Sequence, residues 1–282
     1  MNSARALNLI EVRTRRVLDL IRLRASLRRR RELLTMDYVL PIGLRVRRAP
    51  MLRLQTRSDF AAGTLYFGRE SFSVDRIAYF GVFLEGWYRS DYRGAVVVDV
   101  GGHKGYFGAY ALLEGASEAR SYEPESRNFA ALEQAAASFG DSWSIHRAAV
   151  GSAAGVAELH VSAESAGHSV VHEEHEGERR VLGSEQVTVV AMQDVLEDAA
   201  ARGARLLVKI DAEGSECDIV LDTPVEAWRG VDGVFLEVHR FAACSTADIV
   251  EHLRSAGLEV TKQEADEEAD LVVLTRQTPR PT

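Results

Sequence analysis

The stretch from Ala95 to Phe107, Ala-Val-Val-Val-Asp-Val-Gly-Gly-His-Lys-Gly-Tyr-Phe, limits most strongly what this chain can fold into. An apolar β-branched run reaches an acid, then a loop with three glycines, and then a segment of helical character. This order predicts a strand that ends at a small-molecule site, where the backbone approaches a ligand and a Cβ would be in the way.

The chain beyond this stretch alternates between strand and helix patterns, which predicts an α/β fold with a mostly parallel sheet and helices on both faces. Strands are predicted over 96–100, 119–123, 144–150, 156–161, 186–190, 206–210, 234–238, 258–262 and 271–275. Helices are predicted over 105–114, 126–138, 194–201, 217–221 and 246–256.

The first 57 residues differ in character from the rest, because they hold 15 arginines and 4 acidic residues in a chain of net charge −8. Helical spacing over 4–34 predicts an amphipathic helix, and alternation over 44–57 predicts a hairpin that turns near Ala49 and Pro50. This arm could bind an anionic surface, but packing on the acidic body or on a dimer partner is favoured. Residues 72–90, rich in aromatic side chains, are predicted as a helix that packs mainly into the core.

Composition limits the class of protein and its compartment. With 282 residues, of which 46% are hydrophobic, the chain can bury a large core. No apolar run approaches the roughly 20 residues that span a bilayer, and no secretory signal is recognised. Cys217 and Cys244 are interpreted as two thiols that suit a reducing cytoplasm rather than a disulfide-stapled secreted fold. We expect a cytoplasmic protein with an extension over 1–57, a main domain over 58–276 and a disordered tail over 277–282.

The ends of the predicted strands carry the candidate site, because ligands of such sheets bind outside the carboxyl ends, where strand order reverses. After the first strand, Asp99 precedes Gly101, Gly102 and Gly105 in the spacing D-x-G-G-x-x-G. A carboxylate would repel the pyrophosphate of NAD but tolerates the cationic sulfonium and ammonium of S-adenosylmethionine (SAM). Asp99 therefore favours SAM over NAD.

The next two strand ends indicate where the adenosine part of such a cofactor would lie. Glu123 follows the glycine loop by about twenty residues, which is the position of an acid that binds ribose hydroxyls. Pro124 directly after it points to a methyltransferase. Ala148 and Ala149 offer small side chains against which an adenine ring could lie flat.

Acids and a histidine follow the fourth and fifth central strands. The segment 209–216 reads Lys-Ile-Asp-Ala-Glu-Gly-Ser-Glu, and Glu237-Val-His239 ends the fifth strand. A hydroxyl acceptor is a poor nucleophile until its proton is removed, so a general base helps the transfer. His239 and Glu213 are the favoured bases, and Asp211 is a further candidate.

Together these motifs resemble the FkbM family of SAM-dependent methyltransferases. The matching motifs, which cover about residues 95–240, are Val98 to Gly105, Tyr122-Glu123-Pro124, Ala149-Val150-Gly151, Lys209 to Glu216 and Glu237-Val238-His239. The chain departs from the family at Gly102, usually alanine or another small residue, and at His103, usually asparagine. The resemblance implies a Rossmann-like class I methyltransferase fold with a seven-stranded sheet, acting mainly on hydroxyls of natural products, sugars or glycans.

Motifs and resemblance together give the expected site. The expected cofactor residues are Asp99, Gly101, Gly102, His103, Gly105, Tyr106, Phe107, Glu123, Pro124, Ala148, Ala149 and Asp211. The expected catalytic residues are His239, Glu213 and Asp211. Asp211, Glu213 and Glu237 also carry the oxygen ligands that Mg²⁺ prefers, but a divalent metal is not the favoured interpretation.

The polar connection over 163–184 is interpreted as a lid over the substrate, with His168 and Ser169 innermost. His172 and His175 have a spacing that could seat a metal, although a solvated loop is favoured.

The expected partner is a small-molecule or sugar acceptor, with no nucleic acid favoured and no stable membrane insertion, and the N-terminal helix could mediate a homodimer. The alternatives are N-methylation, an NAD-dependent oxidoreductase, and a binding protein that keeps an inactive fold.

Overall fold

A computed structural model describes residues 51–68, 71–162, 167–170, 181–265 and 268–277. The predicted helix over 4–34, the strand proposed before Ala49 and most of the predicted tail lie outside these residues, as do His172 and His175.

The described strands and helices alternate as the sequence predicts. The strands are β1 Met51–Arg57, β2 Ala62–Gly68, β3 Val96–Val100, β4 Glu118–Tyr122, β5 Trp143–His146, β6 Ala149–Gly151, β7 Gly155–Ser162, β8 Val181–Ala191, β9 Leu206–Ile210, β10 Gly233–His239, β11 Glu259–Ala265 and β12 Ala269–Thr275. The α-helices are α1 Phe72–Phe80, α2 Tyr106–Leu113, α3 Ser126–Ala136, α4 Met192–Ala200, α5 Glu216–Leu221, α6 Val225–Trp228 and α7 Thr246–Ser255.

The central sheet has seven strands in the order β11-β12-β10-β9-β3-β4-β5. Strands β10, β9, β3, β4 and β5 are parallel, and β12 is antiparallel to both of its neighbours. The chain builds outward from β3 to β5 and then returns to add β9 and β10 on the other side of β3. Strand order therefore reverses between β3 and β9, and the carboxyl ends of these two strands form the switch point of a Rossmann-like sheet. This architecture confirms the predicted fold class.

The period of two in a strand assigns each side chain to one face of the sheet. In β3, Val97 packs into an aromatic-rich core with α1, α2 and α3, whereas Val96 and Val98 pack into an aliphatic core with α4 to α7. The same alternation holds along β9 and β10. Consequently the polar residues Asp99 and Lys209 face the aromatic-rich side, directly beyond its core.

The predicted third strand over 144–150 is divided between two sheets. Strand β5 ends at His146 and stays in the central sheet, whereas β6 pairs in parallel with β8. Strands β6, β8 and β7 form a separate three-stranded sheet, with β7 antiparallel to β8. A local sequence pattern predicts strand character, but it does not specify the neighbour with which each part of the segment pairs.

The segment before β3 also differs from the prediction. Strand β1 pairs with β2 across a turn at 58–61, so the boundary proposed between residues 57 and 58 falls inside one hairpin. The predicted helix over 72–90 ends much earlier, since α1 passes at Gly81 into a π-helical turn that stops at Gly86. Gly86 has a φ of 75°, a left-handed conformation that glycine adopts without a steric penalty. The expected aromatic packing is confirmed, because Tyr79 and its neighbours are core residues.

Cys217 and Cys244 form a disulfide bond, with a Cα–Cα distance of 5.7 Å. The interpretation of the two cysteines as thiols is therefore wrong. Cys217 lies in α5, and Cys244 lies just before α7, so the bond joins the segments that follow β9 and β10.

Among the described residues, no helix has the length and apolar character needed to cross a membrane.

Candidate active site

A cavity of about 1040 Å³ opens at the carboxyl ends of the central strands, above the switch point between β3 and β9. Most of the residues predicted for the site line it, namely Gly101, Gly102, His103, Tyr106, Phe107, Glu123, Pro124, Ala149, Asp211, Glu213 and His239. Asp99, Gly105 and Ala148 do not belong to its wall.

Gly101 lets the loop after β3 approach the loop after β9. It has a φ of +75°, and a Cβ at this position would lie 1.9 Å from the carbonyl oxygen of Asp211. Lys209 Nζ donates a hydrogen bond of 2.8 Å to the Gly101 carbonyl oxygen, which ties the two loops together. Gly101 is therefore required by the contact between the two loops of the switch point, in addition to any contact with a ligand.

Gly105 has a packing role away from the cavity. It has a φ of +87° and precedes α2, and a Cβ on it would lie 2.9 Å from a Leu132 methyl group and 2.7 Å from the Trp143 ring. Its lack of a side chain lets α2 begin close to its neighbours in the core, which is the role of the third glycine in related loops.

Asp99 lies beneath the cavity floor, with no exposed surface. Its Oδ2 accepts a hydrogen bond from Ser121, and its Oδ1 lies 3.5 Å from Lys209 Nζ. Burial raises the pKa of Asp99, and the charge of Lys209 opposes this rise. The cation next to Asp99 in this structure is Lys209, and the contact of Asp99 with a cationic cofactor stays a prediction. The pairing follows from the sheet register, which places Asp99 opposite Lys209.

Glu123 holds the glycine loop at the end of β4. Its Oε2 accepts a hydrogen bond of 2.7 Å from the backbone N–H of His103, and its Oε1 accepts one of 2.9 Å from the N–H of Glu125. Burial raises the pKa of Glu123 to about 8, against the opposing effect of these backbone donors. The carboxyl group also faces the cavity, so it can bind a ligand while it positions the loop.

His239 is fixed between two acids at the end of β10. Its Nδ1 lies 3.0 Å from Glu216 Oε1, and its Nε2 lies 3.6 Å from Glu213 Oε2. Burial lowers the pKa of His239, but the hydrogen bond to Glu216 and the charge of Glu213 outweigh this effect and raise the pKa to about 10. The ring is therefore an imidazolium at neutral pH, and it has no lone pair with which to accept a proton.

Asp211, Glu216 and His239 bring one ligand atom each to within 4.8 Å of one another, a spacing that could suit a metal ion. However, Glu216 Oε1 also accepts hydrogen bonds from the N–H groups of Ala212 and Gly214. Asp211 Oδ2 lies 3.3 Å from Lys209 Nζ. These atoms therefore already have protein partners.

Two side-chain interactions have no counterpart among the expected cofactor and catalytic residues. Tyr88 lines the cavity and donates a short hydrogen bond to Glu237 Oε1. Lys104 of the glycine loop forms a short buried ion pair with Asp75 of α1 and donates a hydrogen bond of 2.7 Å to Ser71 Oγ. In the sequence, Lys104 directly before Gly105 was the feature that could have pointed to the ion pair with Asp75. No local pattern identifies the first, because Tyr88 and Glu237 are 149 residues apart.

The described part of the predicted lid reaches the site. His168 lines the cavity, and its Nδ1 accepts a hydrogen bond from the N–H of Ser162. Ser169 Oγ donates a hydrogen bond of 2.6 Å to the carbonyl oxygen of Glu213. The connection thus contacts the loop after β9, and its role as a lid stays a prediction.

Comparison with solved structures gives low identities. The chain is 13% identical to the methyltransferase FkbM from Methylobacillus flagellatus, with a TM-score of 0.47, covering 70% of this chain and 47% of that one. It thus spans about half the length of that protein. A ribosomal protein L11 methylase from Lactobacillus delbrueckii subsp. bulgaricus is 12% identical, with a TM-score of 0.37, covering 73% of this chain and 80% of that one. No curated protein matches the sequence.

Comparison with protein-family models identifies the family of this chain. The model described as the methyltransferase FkbM domain matches residues 99–260, which is more than half of the chain and includes the ends of β3, β4, β9 and β10. The match agrees with the strand order and with the cavity at the switch point, and it leaves no support for the NAD-dependent alternative. The chain therefore belongs to the FkbM family of SAM-dependent methyltransferases.

Proposed function

We propose that this methyltransferase transfers the methyl group of SAM to a hydroxyl group of a small molecule of the natural-product or sugar class. The observation that carries the proposal is the composition of the cavity wall, to which Asp211, Glu213 and Glu237 contribute carboxylates and α1 contributes apolar residues. Hydroxyl groups donate hydrogen bonds to carboxylates, and the carbon skeleton of such an acceptor packs on apolar side chains.

The β3–β4 end of the cavity fits the adenosine part of SAM. Each oxygen of Glu123 accepts one backbone hydrogen bond, and a carboxylate has about four acceptor sites, so lone pairs remain for ribose hydroxyls. With the ribose at Glu123, the methionine part extends towards β9 and the acceptor lies beyond it, over β10. When bound, SAM supplies an electrophilic methyl group.

The apolar part of the acceptor end comes from segments outside the part of the chain that matches the family. Val74, Ile77, Ala78, Val82 and Trp87 line it from α1 and the turn that follows. Together with the strand ends, these side chains can hold the acceptor, align its oxygen for in-line displacement and keep water away.

The charges favour a neutral or cationic acceptor over an anionic one. Lys209 Nζ lies within 3.5 Å of both Asp99 and Asp211, and His239 is paired with Glu213 and Glu216. These two cations are thus already neutralised by acids, so a phosphate group entering this end would meet carboxylates. This arrangement supports a sugar or natural product over a nucleic acid, whose binding depends on contacts between cations and phosphates.

A transfer assay tests this proposal. The protein is incubated with SAM and a panel of neutral sugars, hydroxylated metabolites, primary amines and sugar phosphates, and products are detected by mass. We expect a one-methyl gain with a neutral or amine-bearing hydroxyl compound, located on oxygen by fragmentation, and no turnover of sugar phosphates. Transfer to an amine nitrogen would replace O-methylation by N-methylation. Turnover confined to phosphorylated acceptors would refute the charge argument.

A further inference from the structure

Glu237 belongs to the proposed acceptor end. The register aligns Lys209 of β9 with Phe235 of β10, so Glu237 is the next residue of β10 on the same face, towards the carboxyl end. It lines the cavity. Tyr88 donates a hydrogen bond to Oε1, and no hydrogen bond from the described residues reaches Oε2. Oε2 is therefore the oxygen that is available to an acceptor hydroxyl.

The other candidate bases at this end are engaged differently. His239 is an imidazolium at neutral pH, as its two acidic partners require. Glu213 is the carboxylate that neutralises its Nε2, and Asp211 is the carboxylate that neutralises Lys209. Protonating either acid would leave a buried cation with one fewer counter-charge, which is costly. Glu237 is the cavity carboxyl group whose described partner is a neutral hydroxyl donor.

The groups around Glu237 bring its pKa close to neutral pH. Burial raises its pKa, the charge of Asp211 raises it further, and the Tyr88 hydrogen bond and the charges of Lys209 and His239 lower it, which together bring the pKa to about 7. Burial and the charge of Glu237 raise the pKa of Tyr88 well above its usual value, so Tyr88 remains a hydrogen-bond donor. Glu264 and Glu268, at the β11–β12 hairpin, are the acids that line the cavity from the remaining side.

We propose that Glu237 is the general base of the transfer and that Tyr88 positions it, an inference that rests on the function proposed above. The acceptor oxygen forms the new O–CH₃ bond while the bond from the methyl carbon to sulfur breaks, with its electron pair remaining on sulfur. The acceptor proton moves to Glu237 Oε2 and afterwards to solvent. The sulfonium thus becomes a neutral thioether, and one proton is released for each methyl group transferred.

Tyr88 acts through Glu237 as a positioning residue. Its hydrogen bond engages Oε1, and Oε2 receives no hydrogen bond from the described residues. Because this hydrogen bond lowers the pKa of Glu237, its loss moves the titration of the base to higher pH.

The first experiment compares Glu237→Gln and Tyr88→Phe with wild type, using Glu226→Gln on the exposed surface as the control. We expect Glu237→Gln to lower kcat by about 10²- to 10⁴-fold, the usual contribution of a general base, with SAM affinity unchanged. The wild-type rate falls below about pH 7, and this acidic limb is absent in Glu237→Gln. Tyr88→Phe lowers kcat and moves the limb to higher pH, a shift that a purely structural role would not produce.

A kcat within threefold of wild type in Glu237→Gln, or an acidic limb that persists in that variant, overturns the assignment and leaves the proposed function intact. A wild-type protein that methylates no hydroxyl instead overturns the proposed function.

A second measurement needs no acceptor. In protein carrying ¹³C-carboxyl glutamate, NMR titration shows one resonance with a midpoint near pH 7 that disappears in Glu237→Gln. A Glu237 resonance that titrates near the ordinary value of about 4.3 removes the physical basis of the proposal.

Discussion

Replacing Gly101 by alanine tests whether the two loops of the switch point must touch. The new Cβ would lie 1.9 Å from the Asp211 carbonyl oxygen, and that atom belongs to the backbone, so the loops have to separate. Separation weakens the hydrogen bond from Lys209 Nζ to the Gly101 carbonyl and the one from the Asp211 N–H to the Val100 carbonyl.

The cost follows from these parts. An L-residue at the φ of +75° pays about 1–2 kcal/mol in strain, and each weakened hydrogen bond contributes about 1 kcal/mol. We therefore expect Gly101→Ala to lower the free energy of unfolding by about 3–4 kcal/mol. Gly102→Ala is the matched control, because Gly102 has no positive φ and its Cβ would meet the Ser121 Cβ at 3.1 Å. We expect that change to stay within about 1 kcal/mol.

Urea denaturation of both variants measures the free energies, and calorimetry measures the affinity for SAM. Gly101→Ala should also weaken SAM binding at least tenfold, since the displaced loop carries the cavity residues Gly102 and His103. The reasoning would be refuted by a Gly101→Ala protein within 1 kcal/mol of wild type, or by a Gly102→Ala protein that loses as much as Gly101→Ala.

Two further predictions concern the pH dependence of binding and the disulfide. The pKa of Glu123 is about 8 in the free protein, and ribose hydroxyls stabilise its charged form. SAM binding at pH 7 should therefore release protons, and the affinity for SAM should rise as the pH rises towards 8. Calorimetry in buffers of different ionisation enthalpy detects this proton release, which Glu123→Gln should abolish. Cys217 and Cys244 close a loop of 27 residues, which corresponds to about 3.5 kcal/mol of stabilisation in the chain-entropy model. In urea denaturation, a double serine variant and the reduced wild-type protein should both lose about this much free energy of unfolding. An unchanged urea midpoint of unfolding would contradict the disulfide bond.

The fold was predictable where the pattern is local. The strands 96–100 and 206–210 coincide with β3 and β9, because short, mostly apolar runs that end at a glycine or an acid have few other interpretations. The division of 144–150 between two sheets was not predictable, since pairing partners are chosen in three dimensions. The same limit applies to the disulfide, because a single pair of cysteines has no distinctive spacing.

The sequence predicted that the site residues lie at the ends of the strands, but it did not predict the ion pairs and hydrogen bonds between them. The motifs placed Glu123 and His239 at the site, and both residues line the cavity. They did not reveal that Asp99 is neutralised by Lys209, because that contact depends on the register of β3 against β9. Nor did they reveal the protonation state of His239, which depends on two acids held in fixed positions around the ring.

The buried ion pair between Lys104 and Asp75 has a thermodynamic consequence. Lys104 belongs to the loop that lies against the proposed cofactor region, and Asp75 belongs to the helix that covers the proposed acceptor region. A ligand that displaces this helix must move or break the pair, and so perturbs the loop. The affinities for SAM and for the acceptor are then linked, and linkage requires that each ligand change the affinity for the other by the same factor.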